Sequence, residues 1–353
     1  MHEIKLVVIG PGLMGKRHID LIKNNQECTL VGLVAPDHAE HHKLALELNV
    51  PLHHTVESMI ESKSIDGVII SSPNIFHAEQ AIKCIEAGIP VLIEKPISHS
   101  YETAERLVKL IEEKSAIVLI GHHRAHSPVL KTAREIIQDG RLGKIVGIMG
   151  SALFYKPDCY FDAGPWRRKL GGGPILINLI HEIGNFRSLC GEIVAVQAIS
   201  SSAIRKFAVE DTVAISFQFE SGALGTFLLS DTAASANSWE QTSRENASYP
   251  TYENENCYLI TGTQGSLSIP TMQLRYYNCN EEKSWWKPLE LNIFNITRQD
   301  PLECQLVHFI NVIKGLEPPL VSARDGFQNL KIIEAISKSA KYKKLVQTKL
   351  GAS

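Results

Sequence analysis

Long apolar runs are absent from this chain of 353 residues. A membrane-spanning helix needs about 18 consecutive apolar residues, and no such stretch occurs, so no membrane partner is expected. A cleaved leader is not expected either, because Lys5 and Gly10 interrupt an N-terminus that already has the pattern of a strand. Internal repeats and low-complexity tracts are also missing.

Cysteine is scarce and has no ordered spacing. The cysteines are odd in number and never form C-x-x-C, which predicts reduced thiols in a cytoplasmic protein and neither a disulfide framework nor a zinc site. The seven are Cys28, Cys84, Cys159, Cys190, Cys257, Cys279 and Cys304.

An excess of either charge is missing as well. The 36 basic and 38 acidic residues give a net charge of −2, so nothing indicates a nucleic-acid or membrane-surface partner. A hydrophobic content of 44% and a charged content of 21% are typical of a globular protein. The length favours two domains.

A glycine-rich turn near the N-terminus is the first positive feature. Residues 4–9, apolar except for Lys5, have the pattern of a buried strand, and Gly10, Gly12 and Gly15 lead from it into a helical pattern. Between a strand and a helix, these glycines allow a tight turn, a close approach of backbone to pyrophosphate, and close packing of the helix on the strand. The N–H groups at the helix start then face the anion. The predicted dinucleotide site comprises Gly10, Gly12, Leu13, Met14 and Gly15.

Strand and helix patterns alternate from this turn up to Gly121. Such alternation predicts an α/β fold with a parallel, doubly wound sheet. Ligands of these sheets bind outside the carboxyl ends of the strands. The loops at those ends are 10–15, 35–38, 71–77 and 94–98.

The second of these loops bears on the kind of dinucleotide. An acidic residue at the end of the second strand normally bonds the 2′-hydroxyl of NAD, and this chain has Ala35 there. Asp37 is expected to point away, so a 2′-phosphate is not repelled. NAD and NADP both stay possible as cofactors, with NADP slightly favoured.

Histidines cluster immediately after that loop. His38, His41 and His42 could supply partial positive charge to a 2′-phosphate, or they form an exposed helix face. No metal site is expected, because no acidic or Cys partner converges on them in the sequence.

The third and fourth loops, S-P-N-I-F-H and E-K-P-I-S, place polar groups where catalytic groups belong. A lysine at a partly desolvated site loses its proton more readily and can polarise a hydroxyl, although Lys95 could equally be a surface lysine before a turn proline. The residues predicted to line the cofactor site are Ser72, Pro73, Asn74, His77, Glu94 and Lys95.

Candidate substrate residues follow in the second half of the chain. The irregular stretch 155–169 contains Tyr155, Trp166 and Arg167, which could stack on and bond a polar substrate or pack the loop itself. G-G-G-P then opens a helix on which Asn178 and His181, three residues apart, share a face. A histidine on such an apolar helix is usually a core residue.

The remaining pattern predicts a sheet. Residues 209–219 alternate and turn into 223–229, and a second hairpin surrounds 263–265. A sheet covered on one face and open on the other is a natural oligomer interface. The polar stretch 231–256 is interpreted either as a substrate lid or as a disordered insertion.

The strand–G-P-G-L-M-G–helix unit, S-P-N-x-x-H, E-K-P-I and the G-G-G helix with its histidine occur in an order that resembles the Gfo/Idh/MocA family. The resemblance spans nearly the whole chain. It implies a Rossmann domain over 1–121 and a C-terminal α/β domain with an open, mostly antiparallel sheet over 122–353. The last helix, about 327–342, would pack back toward the first domain. The resemblance also implies NAD(P)-dependent hydride transfer on sugars, inositols or related compounds, by homodimers or homotetramers formed through that sheet.

Residue roles follow from the same resemblance. Lys95 looks like the family's catalytic lysine, which hydrogen-bonds the reacting oxygen and orients the nicotinamide, and His181 matches the histidine that exchanges the proton. Where the family has an Asp, this chain has Ile177. The next residue, Asn178, can orient a substrate hydroxyl but cannot take its proton. The sequence therefore predicts a dehydrogenase or reductase acting on CH–OH groups of a sugar-like or polyhydroxylated molecule. The missing acid leaves an alternative, a non-catalytic NAD(P)-binding sensor or regulator of the same fold.

Overall fold

A computed structural model describes residues 3–62, 64–278 and 282–348 of the chain. These residues divide into two compact units, Met1–His126 with Leu302–Leu330 and Ser127–Pro301 with Lys331–Ser353. Leu302–Leu330 thus groups with the first unit, whereas the sequence analysis included it in the second domain. Cys279 lies outside the described residues. None of the described helices is both long and apolar enough to cross a membrane.

The first unit contains a six-stranded sheet in the order β3-β2-β1-β4-β5-β6, and every pair in it is parallel. This confirms the predicted doubly wound sheet. The strands are β1 Ile4–Ile9, β2 Cys28–Val34, β3 Leu52–His53, β4 Gly67–Ile70, β5 Val91–Glu94 and β6 Val118–Gly121. The helices between them are α1 Leu13–Lys23, α2 Ala39–Leu48, α3 Val56–Ile60, α4 His77–Glu86 and α5 Tyr101–Lys114.

Both faces of this sheet are buried, which is why its strands are continuous apolar runs without alternation. Every residue of β4, β5 and β6 is buried. One face, with Val7 and Ile70, packs against side chains of α3, α4 and α5. The opposite face, with Leu6 and Ile69, packs against α1 and α2.

A helix from late in the chain completes that second face. Leu306, Phe309 and Ile310 share the core with Leu6 and Ile69. A Cβ on Gly67 would lie 2.7 Å from Ile313 Cδ1 and 3.3 Å from the Phe309 ring, so the helix lies close against the start of β4. This packing explains why the late segment belongs to the first unit.

The second unit contains a nine-stranded sheet in the order β14-β13-β12-β11-β7-β10-β9-β8-β15. Only β7 and β10 pair in parallel among its described strands, so the predicted open, mostly antiparallel sheet is confirmed. The strands are β7 Ile145–Leu153, β8 Ile193–Ser201, β9 Thr212–Phe219, β10 Leu224–Ser230, β11 Tyr258–Gly262, β12 Gly265–Ile269, β13 Gln273–Tyr276, β14 Glu290–Ile293 and β15 Val346–Gln347. The remaining helices are α6 Pro128–Gln138, α7 Asp158–Asp162, α8 Ile180–Cys190, α9 Trp239–Thr242, α10 Pro301–Ile313 and α11 Ala323–Tyr342.

The two faces of this sheet differ in the way the alternating pattern predicted. Val213, Ile215, Phe217 and Phe219 of β9 are buried, and the residues between them are exposed. The buried face shares one core with side chains from α6, α8 and the C-terminal part of α11. The opposite face keeps large apolar side chains in solvent, with Ile199 exposed by 72%.

The polar stretch 231–256 is packed into this unit. Trp239 is 1% exposed and belongs to the main core. The Asn237 side-chain amide donates to Glu255 Oε2 at 3.2 Å and to the carbonyl of Asn256 at 3.0 Å, which holds the two ends together. The structure therefore favours an anchored segment over the disordered insertion that the sequence left open.

Candidate active site

The three glycines of the first turn differ in what a side chain at each position would meet. Gly10 has a φ of +82°, and a Cβ there would lie 2.5 Å from Ser72 Cα. A Cβ on Gly15 would lie 2.2 Å from the Gly10 carbonyl oxygen, so α1 packs tightly on the turn. At Gly12 a Cβ would meet no described atom within 4 Å. The first and third glycines therefore shape the turn, while the second keeps its surface open to a ligand.

The start of α1 gives this turn its affinity for an anion. Gly12 is the N-cap residue and has no side chain to bond the free N–H groups, and the first turn contains no acidic residue. Those N–H groups and the helix dipole favour a bound phosphate. Leu13 is 79% exposed, and Met14 is half-buried. These features of the turn fit the pyrophosphate of a dinucleotide.

Side-chain hydrogen bonds tie the third loop to the glycine turn. The Ser71 hydroxyl lies 2.9 Å from the Gly10 carbonyl oxygen and 3.1 Å from that of Ile9. Ser72 donates to Gln80 Oε1 at 2.6 Å, while Pro73 is exposed and Asn74 half-buried.

A buried ion pair ties the fourth loop to α1. His18 Nε2 lies 2.8 Å from Glu94 Oε1, and both residues are under 5% exposed. Burial alone would raise the pKa of Glu94, but the hydrogen bond from His18 and the charges of His18, His123 and Lys95 outweigh it and lower the pKa. Glu94 is therefore ionised at neutral pH. The sequence analysis missed His18, although Gly15, His18, Ile19 and Ile22 form the buried face of α1 at helical spacing.

Lys95 follows β5 directly and is half-buried. Its N–H lies 3.3 Å from Glu94 Oε2, and the Lys95–Pro96 peptide bond is cis. The backbone of Lys95 therefore contacts Glu94, and Glu94 in turn contacts His18 on α1, the helix that follows the glycine turn. The sequence alone could not distinguish this position from that of a surface lysine.

His77 connects the third loop to the fourth. Its ring is buried, with Nδ1 2.8 Å from the Pro96 carbonyl oxygen and Nε2 2.8 Å from that of Ser72. Burial lowers the pKa of His77 more than the two carbonyls raise it. The ring thus joins the third loop to the fourth, and its contact with the cofactor stays a prediction.

The second loop holds no carboxylate aimed at the end of β2. Ala35 is 4% exposed, and its N–H donates to the His53 carbonyl at 3.0 Å. Asp37 is turned toward α2, where its Oδ1 lies 2.7 Å from His42 Nε2. That hydrogen bond and the nearby His54 lower the pKa of Asp37. The structure thus brings an acidic group to the histidines, which the sequence analysis did not expect.

In the second unit, Asn178 lies on a π-helical turn, Ile175–Leu179, that precedes α8. The α-helical spacing by which the sequence placed Asn178 and His181 on one face does not apply across such a wider turn, and π segments often occur at functional sites. The N–H of Ile175 donates to Glu210 Oε1 at 2.9 Å. Burial raises the pKa of Glu210 more than this bond lowers it.

Asn178 forms part of a continuous polar and aromatic cluster. Lys156 Nζ donates to Asn178 Oδ1 at 2.7 Å and lies 4.8 Å from the centre of the Tyr160 ring. The Arg167 guanidinium lies 3.9 Å from that ring and 5.6 Å from the Trp166 ring. Sequence reasoning missed Lys156, for which no motif gave a signal. The cluster brings Asn178 together with Trp166 and Arg167, two of the three residues predicted in the aromatic loop, the stretch 155–169.

The third loop residue, Tyr155, contacts a different cation. Its ring, 61% exposed, lies 5.3 Å from the Arg205 guanidinium. Arg205 Nε donates to Asp231 Oδ1 at 2.7 Å, and both side chains are buried. The ion pair fixes the base of the aromatic loop and leaves the Tyr155 ring in solvent.

His181 is 6% exposed on α8, next to Glu182, which is 2% exposed. The Tyr258 hydroxyl donates to Glu182 Oε2 and accepts from Asn185 Nδ2 at 2.9 Å. This network anchors α8 to β11. The sequence analysis did not single out Glu182, the acid beside His181.

A parallel sheet with an uncapped glycine turn, followed by an open, mostly antiparallel sheet, is the arrangement of a two-part dinucleotide-binding protein. The model of an oxidoreductase family with an NAD-binding Rossmann fold matches residues 4–122, and the GFO/IDH/MocA C-terminal domain matches residues 130–268. The chain belongs to this Gfo/Idh/MocA family of NAD-binding oxidoreductases. The family recognised from the motifs is thereby confirmed.

Relatives and solved structures are similar to this chain over most of its length. The chain is 27% identical over 298 residues to 1,5-anhydro-D-fructose reductase of Ensifer adhaerens, covering 81% of this chain and 80% of the relative. It is 24% identical over 353 residues to myo-inositol 2-dehydrogenase of Thermotoga maritima, covering 98% of each. The WlbA dehydrogenase of Bordetella pertussis, solved with NADH and UDP-GlcNAcA, has the same fold, with a TM-score of 0.77, 21% identity and coverage of 99% and 100%. An oxidoreductase of Thermotoga maritima gives a TM-score of 0.79 at 22% identity, covering 98% and 99%.

Proposed function

We propose that this chain is an NAD(P)-dependent dehydrogenase or reductase acting on a CH–OH carbon, or the matching carbonyl, of a sugar-like or polyhydroxylated small molecule. The observation that carries the proposal is the anchoring of the Lys95 loop to the open glycine turn through His18 and Glu94, 2.8 Å apart. The relatives support it, since one is named an anhydrofructose reductase and another an inositol dehydrogenase. The proposed nucleotide-binding domain extends to about residue 121, with the substrate-binding domain after it.

The proposed chemistry divides among few residues. A bound nicotinamide supplies or accepts the hydride. Lys95 donates a hydrogen bond to the reacting oxygen and polarises it, while His181 takes or returns the hydroxyl proton. Asn178, held by Lys156, orients a substrate hydroxyl, and Tyr155, Trp166 and Arg167 offer stacking and hydrogen bonds to the sugar.

Single-turnover kinetics test this function. The protein is loaded with NADH or NADPH, mixed with a panel of sugar lactones, keto-inositols and anhydro-keto sugars, and followed by cofactor absorbance. The reverse reaction is run with NAD⁺ or NADP⁺ and the matching polyols. We expect at least one compound to oxidise or reduce the bound cofactor in a single exponential. Tight cofactor binding with no turnover across the panel would favour the sensor or regulator instead.

The proposal also concerns the preference between NADH and NADPH. The end of β2 offers Ala35, and the Asp37 carboxylate is engaged with His42 at 2.7 Å, so a 2′-phosphate meets no repelling group there. We propose that the chain accepts NADPH at least as well as NADH.

Replacing Ala35 by Asp should reverse that preference. A carboxylate at the end of β2 bonds the 2′-hydroxyl of NADH and repels the 2′-phosphate of NADPH, so the NADPH/NADH ratio of dissociation constants is expected to rise about tenfold. Cofactor fluorescence titration measures both constants. Ala35→Ser, of similar size without the charge, is the control and should leave the ratio close to that of the wild type. An unchanged ratio in the Asp variant would remove Ala35 from the cofactor site.

We also propose a homodimer or homotetramer formed through the open face of the nine-stranded sheet. Met149, Ile199, Leu224 and Leu228 place large apolar side chains on that face, with 42% to 72% of each exposed. Large apolar side chains exposed on one sheet face indicate an interaction surface, and a symmetric pair of sheets can bury them.

A charge on this face should weaken assembly. Ile199→Glu places a carboxylate where the proposed interface excludes water, so the sedimentation equilibrium mass is expected to fall toward 39.1 kDa at micromolar concentration. Leu46→Glu, at an 81% exposed position on α2, is the matched control and should not change the mass. Equal masses for both variants and the wild type would place the interface elsewhere.

The thiols support a reducing, cytoplasmic location as part of the proposal. None of the six described cysteines forms a disulfide. Burial raises the pKa of Cys84 and of Cys190 to about 12. Such buried thiols are inert, so they pack the core and take no part in the chemistry.

A further inference from the structure

Three metal-binding side chains meet on the surface of the first unit. Asp37, His42 and His54 each offer one ligand atom, and these atoms lie within 4.8 Å of one another. His42 Nε2 lies 2.7 Å from Asp37 Oδ1, and the ring centres of His42 and His54 are 5.6 Å apart. The three residues come from the loop after β2, from α2, and from the residue after β3.

The pairing of strands β2 and β3 sets the positions of Asp37 and His54. Strands β2 and β3 run in parallel with Val34 opposite His53, and the N–H of Ala35 donates to the His53 carbonyl at 3.0 Å. The chain therefore leaves both strands side by side, which brings Asp37 near His54. Helix α2 begins at Ala39 and presents His42 from its first turn. The cluster thus depends on sheet register, which the sequence alone does not reveal.

The hydrogen bond that His54 makes to the backbone suits metal coordination. His54 Nδ1 lies 3.3 Å from the Ala35 carbonyl oxygen, and a ring that donates from Nδ1 keeps its lone pair on Nε2. Metal-binding imidazoles typically have their second nitrogen held by a carbonyl in this way. Two imidazoles and one carboxylate favour a first-row divalent ion such as Zn²⁺, bound at about 2.0–2.2 Å with positions left for other ligands.

We propose that Asp37, His42 and His54 bind one divalent transition-metal ion. The site lies at the carboxyl ends of β2 and β3, the edge at which parallel sheets bind ligands. The bound ion adds positive charge at that edge and strengthens the binding of a dinucleotide phosphate. This coupling rests on the proposed function, whereas the binding of the ion does not.

Metal titrations of the whole chain test the site without any dinucleotide. The protein is stripped with a chelator, dialysed, and titrated with Zn²⁺ against a chromophoric indicator, and with Co²⁺ by visible absorption. We expect one ion per chain for the wild type. His42→Ala and His54→Ala should each raise the Zn²⁺ dissociation constant at least tenfold and abolish the Co²⁺ absorption band. His99→Ala, at another exposed histidine of the same unit, is the control and should bind as the wild type does.

Two results would overturn the proposal: no stoichiometric Zn²⁺ binding by the wild type, or binding that survives both His42→Ala and His54→Ala. Circular dichroism of each variant shows whether it is folded, and Asp37→Asn provides a third, isosteric variant that should also weaken binding. NADH and NADPH titrations of the same samples, with and without Zn²⁺, test the coupling separately. Metal binding without dinucleotide binding would refute the proposed function but not the metal site. Dinucleotide binding without metal binding would refute the metal site but not the proposed function.

Discussion

Replacing Lys95 by Ala is expected to lower kcat about a thousandfold while leaving the dissociation constant for the preferred cofactor within about twofold of the wild type. The loss arises because the ammonium group, in the proposed mechanism, bonds the reacting oxygen and stabilises the charge that develops on it. Single-turnover rates and cofactor fluorescence titration measure the two quantities separately.

The structure explains why cofactor affinity should survive. The phosphate-binding surface is formed by the glycine turn, by the uncapped start of α1 and by the Ser71 hydrogen bonds to the carbonyl oxygens of Ile9 and Gly10. The His18–Glu94 pair stays in place and keeps the loop anchored. The change therefore removes one charged donor and leaves the phosphate-binding surface intact.

Three further variants test the predicted role of the Lys95 ammonium group in turnover. Lys95→Met keeps the apolar stem and should be as slow as the Ala variant, whereas Lys95→Arg keeps the charge in a planar group and should recover part of the rate. Lys43→Ala, at an exposed lysine of α2, is the control and should turn over normally. A Lys95→Ala enzyme with wild-type turnover would exclude Lys95 from catalysis.

Replacing Glu245 by Gln is expected to remove a pH dependence from the stability of the second unit. Glu245 is 5% exposed, and its Oε1 accepts a hydrogen bond from the Ser127 hydroxyl at 2.6 Å. Burial raises the pKa of Glu245 to about 7, against the opposing effects of the Ser127 bond and the charge of Arg298.

The direction of the effect follows from the two pKa values. The folded state holds the proton up to pH about 7, while an unfolded glutamate releases it near 4.5, so folding binds a proton between these values. The stabilisation is complete below pH 4.5 and is lost as the pH rises through 7. The wild type should lose about 2 to 3 kcal/mol between pH 5 and pH 8 relative to the Gln variant.

Tryptophan fluorescence can follow this unit alone, because all four tryptophans lie within it. Urea unfolding from pH 5 to 8 yields the free energy of each protein, and the change between the two pH values cancels any constant cost of the amide. Glu282→Gln, at an exposed position, is the control and should follow the wild type. Parallel pH profiles for the wild type and Glu245→Gln would show that Glu245 does not titrate with folding. The four tryptophans of the second unit are Trp166, Trp239, Trp285 and Trp286.

Local patterns in the sequence were sufficient for much of the fold. Residues 4–9 were predicted as a strand and form β1, because a strand buried on both faces is a continuous apolar run. The alternation in 209–219 correctly indicated a strand with one buried face. The π turn that contains Asn178 was not predicted, since nothing local to the sequence distinguishes a π turn from an α turn.

Long-range packing was the part that sequence reasoning missed. His18 and Glu94 are 76 residues apart, and Lys156 and Asn178 are 22 apart, so no local period connects either pair. Leu302–Leu330 joins the first unit because α10 covers the second face of the parallel sheet, which a pattern of apolar residues cannot assign to one sheet or another.

The sequence by itself determined that this protein has a dinucleotide-binding turn, a doubly wound sheet and a family. These features depend on the spacing of glycines and on periodic burial, which are properties of neighbouring residues. Only the tertiary structure decided that His18 anchors the Lys95 loop and that Asp37 turns to His42 and His54. Those contacts depend on strand register and helix packing, because they join side chains that the chain brings together only after it has folded.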